Sequence, residues 1–159
     1  MILSDTNEGK NYPQIDVAVM SYNKPESLVA TLLSFKKHCG DHIDTIYIQD
    51  DQSHPGTIEV YQSQYFTDAM LPIKIVVSVN KKKSSFNKMP INNAKAGPDT
   101  KWYESDNVRY QYAINHTDKR YLFIIHDDIL FFDDVVKVYL ENMYAGGFAL
   151  VGDLGQCWI

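Results

Sequence analysis

The 159-residue sequence has little cysteine and no long apolar run. Its two cysteines, Cys39 and Cys157, lie far apart, so neither a disulfide framework nor a zinc site with closely spaced ligands is expected. No apolar run approaches the roughly 20 residues that a membrane-spanning helix needs, and the first residues lack the pattern of a signal peptide. We therefore expect a cytoplasmic protein, with any membrane contact peripheral to the inner face.

The sequence also lacks the short motifs that mark several common enzyme classes. Its five histidines include no HExxH pair, which disfavours a zinc hydrolase. There is no GxSxG elbow, no Walker phosphate loop and no GxGxxG after the first apolar run. The last absence argues against a nicotinamide dinucleotide fold.

Charge is low overall and unevenly distributed. The net charge of −5 does not fit a general nucleic-acid binder. Six of the lysines, however, fall between Asn80 and Lys101, where Asp99 is the one acid. We expect a long loop at Lys81–Lys101. It could cover phosphates, contact an anionic membrane surface, or be a solvated mobile loop.

Apolar periodicity predicts alternating strands and helices. The composition, 45% hydrophobic and 13% aromatic, is typical of a globular protein, and the length suits one domain, residues 13–159, after a tail of residues 1–12. Helices are expected from Pro25 to Gly40 with Asn23 as the cap, and then over residues 57–65, 106–117 and 135–143, the last capped by Asp133 or Asp134. Strands are expected over residues 15–20, 43–48, 73–79, 121–125 and 148–152. The alternation predicts an α/β fold with a mostly parallel sheet flanked by helices.

Three polar clusters follow predicted strands at their carboxyl ends, where open α/β sheets bind ligands. We expect them to meet at one edge of the sheet. The clusters are Ser21-Tyr22-Asn23, the run from Asp50 and Asp51 to Ser53, and His126-Asp127-Asp128.

Each cluster admits a functional and a structural interpretation. Paired carboxylates beside an imidazole suit Mg²⁺ or Mn²⁺ on a diphosphate, whereas Asp127 or Asp128 could instead cap a turn or pair with a lysine. Asp50 and Asp51 could accept hydrogen bonds from a base or a ribose, or could form an Asx-turn. Arg109 could reach a pyrophosphate or form a surface ion pair.

Three segments together resemble the nucleotide-sugar-binding half of family-two glycosyltransferases with the GT-A fold. They are "VAVMSYNKPESLVATLLSF", "IYIQDDQSHPGT" and "YLFIIHDDILFFDDVV", in that order and spacing. The likeness covers about residues 13–152. It implies transfer of a sugar, with inversion, from a nucleoside-diphosphate sugar, usually UDP-linked, to a glycan or lipid-linked acceptor.

The resemblance also implies roles for individual residues. Ser21, Tyr22, Asn23, Asp50, Asp51, Arg109 and Asp127 would form the nucleotide-sugar site, with Asp127 against the ribose. Asp128 would hold Mn²⁺ or Mg²⁺ on the diphosphate, with His126 as a further candidate ligand. His126 stands where the family commonly has its first aspartate, and Arg109 matches only loosely.

The family's acceptor-binding half and its catalytic base lie beyond the matched segments. No residue of this sequence matches that base, so we expect a donor-binding half with the acceptor half incomplete or absent. Three other classes stay open. A purely structural interaction domain would require the Asp clusters to be caps and turns. A non-catalytic nucleotide-sugar-binding module would bind without turnover, and a sugar-phosphate nucleotidyltransferase would need a glycine-rich loop after the first strand, which this sequence lacks.

Overall fold

The fold is a parallel α/β sheet with helices on both faces. A computed structural model describes residues 12–81 and 110–146. The elements in chain order are β1 Ile15–Ser21, α1 Pro25–Cys39, a 3₁₀ turn Gly40–His42, β2 Ile43–Asp50, α2 Pro55–Gln62, α3 Gln64–Met70, β3 Lys74–Val79, α4 Gln111–His116, β4 Leu122–Ile125 and α5 Val135–Gly146.

All four strands are parallel and lie in the order β3-β2-β1-β4. In the register, Val19 of β1 lies between Ile48 of β2 and Ile125 of β4. The chain moves outward from β1 to β3 and then crosses to the other side of β1. The strand order therefore reverses between β1 and β4, and ligands in open α/β sheets bind at such a point, outside the carboxyl ends of the strands. The predicted α/β class with a mostly parallel sheet is confirmed.

The main core lies between one face of the sheet and α1. Alternation along β1 turns Ile15, Val17 and Val19 to this face, where all three are buried. Helix α1 presents a stripe with spacings of four and three residues, which is one side of an α-helix. The stripe consists of Leu28, Leu32 and Phe35, each 0% exposed. Burial of such a side chain stabilises the fold by about 2 kcal/mol.

Within the described residues, α4 contacts β2 on the opposite face of the sheet. Tyr112 of α4 lies edge-on to Tyr47 of β2, with 6.2 Å between ring centroids. Asp16 of β1 is 1% exposed, and its Oδ2 accepts the Thr117 hydroxyl at 2.6 Å. Its Oδ1 accepts the Thr45 backbone N–H at 3.2 Å. This carboxylate therefore links two strands to the end of α4.

Three predictions about helix boundaries are wrong. The helix expected over residues 106–117 begins, among the described residues, at Gln111, because Tyr110 has a left-handed φ of 62°. Asn23 does not cap α1: Lys24 occupies the cap position and makes no side-chain cap bond. The helix expected over residues 57–65 begins earlier, at Pro55, and is divided by Ser63, whose ψ of 144° is extended. The Ser63 hydroxyl accepts the Phe66 N–H at 3.2 Å and so begins α3.

Several predictions lie outside the described residues: residues 1–11 of the tail, the fifth strand at 148–152, residues 106–109 of the expected helix, and Cys157. Cys39 is buried at the end of α1, and burial raises the pKa of its thiol. In the two described ranges, no helix is both long enough and apolar enough to cross a membrane.

Candidate functional site

Two loops meet where the strand order reverses. The loop after β1 ends at Lys24, and the loop after β4 contains Asp127 and Asp128. Lys24 Nζ lies 2.9 Å from Asp128 Oδ2 and 3.7 Å from Asp127 Oδ1. This contact raises the pKa of Lys24 and lowers the pKa of Asp128. The charged side chains of the two loops are therefore in contact, as expected for loops at the carboxyl ends of neighbouring parallel strands.

Helix α1 holds the loop after β4 through three hydroxyl groups. The Ser27 hydroxyl donates to the Asp127 carbonyl at 2.7 Å. The Thr31 and Ser34 hydroxyls accept backbone N–H groups from Ile129 at 3.2 Å and Phe131 at 3.1 Å. Positions 27, 31 and 34 share one side of the helix, and each precedes a residue of the apolar stripe. This hydroxyl ladder, Ser27, Thr31 and Ser34, fixes the backbone that carries the acidic pair.

Asp50 is at the end of β2 but does not face solvent. It is 0% exposed, and both carboxylate oxygens accept hydrogen bonds from within the protein. Oδ1 accepts the Ser53 N–H at 2.7 Å, and Oδ2 accepts the hydroxyls of Ser53 at 2.6 Å and Tyr61 at 2.9 Å. The turn-forming role that the sequence left open for this carboxylate is therefore present. Burial, with the nearby Asp50 carboxylate, raises the pKa of Tyr61 to about 12.

Asn23 joins the loop after β1 to the loop after β2. Its backbone N–H donates to Ser53 Oγ at 2.8 Å, and its side-chain Oδ1 accepts the His54 N–H at 2.8 Å. These bonds accompany a left-handed backbone, with φ of 50°, a conformation that asparagine tolerates better than most residues. The Asn23 side-chain oxygen is already bonded to His54, so it is not available to cap α1.

A second chain of bonds joins β2 to the residue after β3. Gln49 Nε2 donates to Asn80 Oδ1 at 2.8 Å, and Asn80 Nδ2 donates to Asp51 Oδ1 at 2.9 Å. All three side chains are buried. The side-chain amides of Gln49 and Asn80 thus position Asp51. Asp51 is also bonded to β1, because its N–H donates to the Ser21 carbonyl at 3.0 Å.

The remaining site candidates have different exposures. Ser21 lies on the core side of β1, is 2% exposed, and its hydroxyl has no hydrogen-bond partner among the described residues. Tyr22 is 40% exposed and His126 is also exposed. Arg109 lies outside the described residues, as do the lysines of the predicted loop beyond Lys81.

The acidic pair fits a divalent cation only as a partial site. In residues 12–81 and 110–146, no three His, Cys, Asp or Glu side chains are grouped to hold a metal ion by themselves. Mg²⁺ and Mn²⁺, however, are commonly held by one or two carboxylates together with water and substrate phosphates. Asp127 and Asp128 supply such carboxylates, and the ammonium group of Lys24 shows that the position attracts a cation. The donor set suits an ion whose shell a diphosphate completes.

Sequence reasoning missed the residues that support the site. Lys24, Tyr61 and Asn80 were not singled out: the partners of Lys24 and Asn80 lie 104 and 29 residues away in the chain, and Tyr61 bonds Asp50 across 11 residues. The hydroxyl ladder carried a readable signal: three small hydroxyl residues recur at helical spacing beside an apolar stripe. That spacing predicts a polar contact along the edge of the buried face.

Comparison with known structures identifies the fold. This chain is similar to a crystal structure of S. aureus TarS residues 1–349, with a TM-score of 0.56 at 13% identity. The similarity covers 83% of this chain and 32% of that one. For a second TarS crystal structure the TM-score is 0.56 at 14% identity, with 84% and 20% covered. TarS is a glycosyltransferase. This chain shares the fold of a part of TarS, and it spans less than a third of either TarS chain. No protein-family model and no curated sequence matches this chain.

Proposed function

We propose that this chain is the donor-binding part of a family-two glycosyltransferase with the GT-A fold, and that it binds a nucleoside-diphosphate sugar, UDP-linked, at the carboxyl ends of β1 and β4. One observation carries the proposal. The acidic pair Asp127-Asp128 is held against the loop after β1 at the point where the strand order reverses. That is where open α/β sheets bind their ligands. The fold shared with TarS supports it.

The proposed roles follow the exposure of each side chain. Asp128, which is 53% exposed at its side chain, would hold Mn²⁺ or Mg²⁺, and the less exposed Asp127 would lie against the ribose. Tyr22, which is 40% exposed in the loop after β1, would contact the nucleoside. A bound divalent ion would neutralise charge that develops on the departing diphosphate.

Asp50 and Asn23 would support the nucleotide site without contacting the nucleotide. Both carboxylate oxygens of Asp50 are already bonded to Ser53 and Tyr61, and the Asn23 side chain bonds the backbone of His54. We expect these residues to position the loops on which the nucleotide rests. Holding a substrate in a fixed orientation is itself a large part of catalysis, because it removes the entropy of alignment from the reaction step.

Transfer to a glycan or lipid-linked acceptor would proceed by direct displacement. The acceptor oxygen would form a bond to the anomeric carbon as the bond to the diphosphate breaks, and the acceptor proton would pass to a base. No described residue is assigned as that base. If the chain binds donor without turning it over, the function is that of a nucleotide-sugar-binding module.

Thermal unfolding of the full chain with UDP, GDP, CDP and ADP, each with and without Mn²⁺, tests the proposal. We expect UDP with Mn²⁺ to raise Tm by roughly 5 to 10 °C at about 100 times Kd. Asp128→Ala should lose the part of the shift that needs Mn²⁺. Asp68→Ala, which removes an exposed carboxylate on α3, is the matched control and should keep it.

Two results would contradict the proposal. One is the absence of a shift with any nucleoside diphosphate, with or without Mn²⁺. The other is a Mn²⁺-dependent shift that Asp128→Ala retains in full, since the acidic pair would then not be the metal site. Release of labelled sugar from UDP-sugar donors then separates an active transferase from a binding module.

A further inference from the structure

Lys24 occupies the position next to the acidic pair that a cation would take. Its ammonium group contacts both carboxylates, at 2.9 Å to Asp128 Oδ2 and 3.7 Å to Asp127 Oδ1. The lysine is the last residue before α1, and 104 positions separate it from Asp128. A cation supplied by the chain itself therefore lies where the proposed function needs an exchangeable one.

We propose that Lys24 competes with the divalent cation for Asp127 and Asp128, so that metal binding requires its ammonium group to leave them. This inference rests on the proposed function, because it concerns the same acidic pair. It adds a residue and a regulatory step that the nucleotide-binding proposal does not contain.

Electrostatics makes simultaneous binding unfavourable. A lysine ammonium group bonded to Asp128 Oδ2 would lie within a few ångströms of a metal ion on the same carboxylate. Like charges at such distances repel even in water, and a divalent ion doubles the effect. A carboxylate oxygen also has few lone-pair directions to share between two cations.

The geometry makes exchange easy. The side chains of Lys24 and Asp128 are 50% and 53% exposed, so the lysine can move into solvent without opening the core. Its stem has four flexible carbons, and an exposed ion pair contributes little net free energy. The backbone beneath the carboxylates would stay in place, because the hydroxyl ladder of α1 binds it independently of Lys24.

Binding of Mn²⁺ alone to the full chain, followed by electron paramagnetic resonance of the free ion, tests the competition. Lys24→Met removes the charge and keeps the stem, and we expect it to bind Mn²⁺ about threefold to tenfold tighter than the native chain. Lys24→Arg keeps a cation and should stay within about twofold of the native Kd. Lys37→Met makes the same charge change at an exposed position near the other end of α1 and should also have little effect.

The double variant Lys24→Met, Asp128→Asn locates the effect. The gain in affinity should disappear in it, because the carboxylate for which the two cations compete is gone. Lys24→Gln gives a second neutral variant if Lys24→Met folds poorly, which circular dichroism would show.

Three outcomes overturn the inference: a Kd for Lys24→Met that is equal to or weaker than that of the native chain, a gain that survives Asp128→Asn, and no Mn²⁺ binding by any variant. The proposed function is judged separately, by the Tm shift of the native chain with UDP. If UDP raised the Tm of the native chain but Lys24→Met bound Mn²⁺ no more tightly, the proposed function would stand and the competition would be overturned. If Lys24→Met bound Mn²⁺ more tightly but UDP did not raise the Tm of the native chain, the competition would stand and the proposed function would be overturned.

Discussion

Thr31 Oγ1 accepts the backbone N–H of Ile129 at 3.2 Å, so the middle of α1 holds the middle of the loop that carries the acidic pair. Thr31 is 1% exposed and lies 98 residues from its partner. The bond joins α1 to the far side of the strand-order reversal. Site geometry thus depends on a buried hydroxyl group that would touch no ligand.

We expect Thr31→Val to destabilise the chain by about 1 to 2 kcal/mol. Valine has nearly the same shape but leaves the Ile129 N–H without its acceptor, and the loss of a part-buried hydrogen bond costs free energy of about that order. Urea unfolding measures the change, and Mn²⁺ binding should weaken in parallel. The control is Thr67→Val, whose hydroxyl bonds only carbonyls in its own helix turn. Equal losses in the two variants would contradict a special role for the Thr31 bond.

Asp50→Ala should be among the most destabilising single substitutions outside the apolar core. It removes the acceptor of three buried hydrogen bonds, from the Ser53 N–H, the Ser53 hydroxyl and the Tyr61 hydroxyl. Bonds to a charged group contribute about 1.5 to 3 kcal/mol each, and their losses are not additive, so we expect about 3 to 4 kcal/mol in urea unfolding. Asp68→Ala removes an exposed carboxylate and should change stability by less than about 0.5 kcal/mol. If Asp50→Ala lost no more stability than Asp68→Ala, the hydrogen bonds to Asp50 would contribute little to folding.

Stability should fall steeply between about pH 10 and pH 12 because of Tyr61. Burial raises the pKa of this hydroxyl from its ordinary value of 10.0 to about 12. The folded state therefore holds the proton over a range in which the unfolded state releases it. The contribution is complete below pH 10 and is lost as the pH rises toward 12, by up to about 2 to 3 kcal/mol.

Unfolding in urea at several pH values between 9 and 12 measures this slope. Tyr61→Phe should flatten it, because phenylalanine has no proton to release, even though the variant is less stable overall. Tyr65→Phe changes a side chain that is 87% exposed and should leave the slope unchanged. An unaltered slope in Tyr61→Phe would assign the alkaline loss to other groups.

Asp134→Ala should destabilise the chain by about 1 to 2 kcal/mol through the start of α5. Asp134 Oδ1 accepts the Lys137 N–H at 3.0 Å, which is an N-cap bond, and its Oδ2 lies 2.9 Å from His42 Nε2. Loss of an N-cap typically has this effect. Asp134→Asn keeps a capping oxygen and should lose less than half as much. Thermal unfolding measures both, and equal losses would argue that the cap bond is not the main contribution.

The sequence predicted the architecture well because its signals are local. Strand alternation and helical spacing operate within a few residues, so the order of elements and the parallel sheet followed from pattern alone. Pattern also placed a helix cap at Asp133 or Asp134, and Asp134 is the residue that caps. The cap predicted at Asn23 is wrong because bonds to Ser53 and His54, about 30 residues away, hold its backbone and side chain elsewhere.

The fate of the two strand-end carboxylates shows where pattern stops. Asp50 ends β2 and Asp128 follows β4, and the sequence left a ligand-binding role open for both. In the folded chain Asp50 is fully buried beneath Ser53 and Tyr61, whereas Asp128 is half exposed beside Lys24. Their pairing partners decide which acid supports the loops and which can meet a cation.

The sequence by itself determined the class of fold and the edge of the sheet at which polar groups collect, because the carboxyl ends of parallel strands share one edge. Tertiary structure alone decided which of those groups are sealed by hydrogen bonds and which face outward. The physical reason is distance along the chain: a carboxylate ionises, bonds or binds metal according to its neighbours in space, and Lys24 comes to Asp128 across 104 residues.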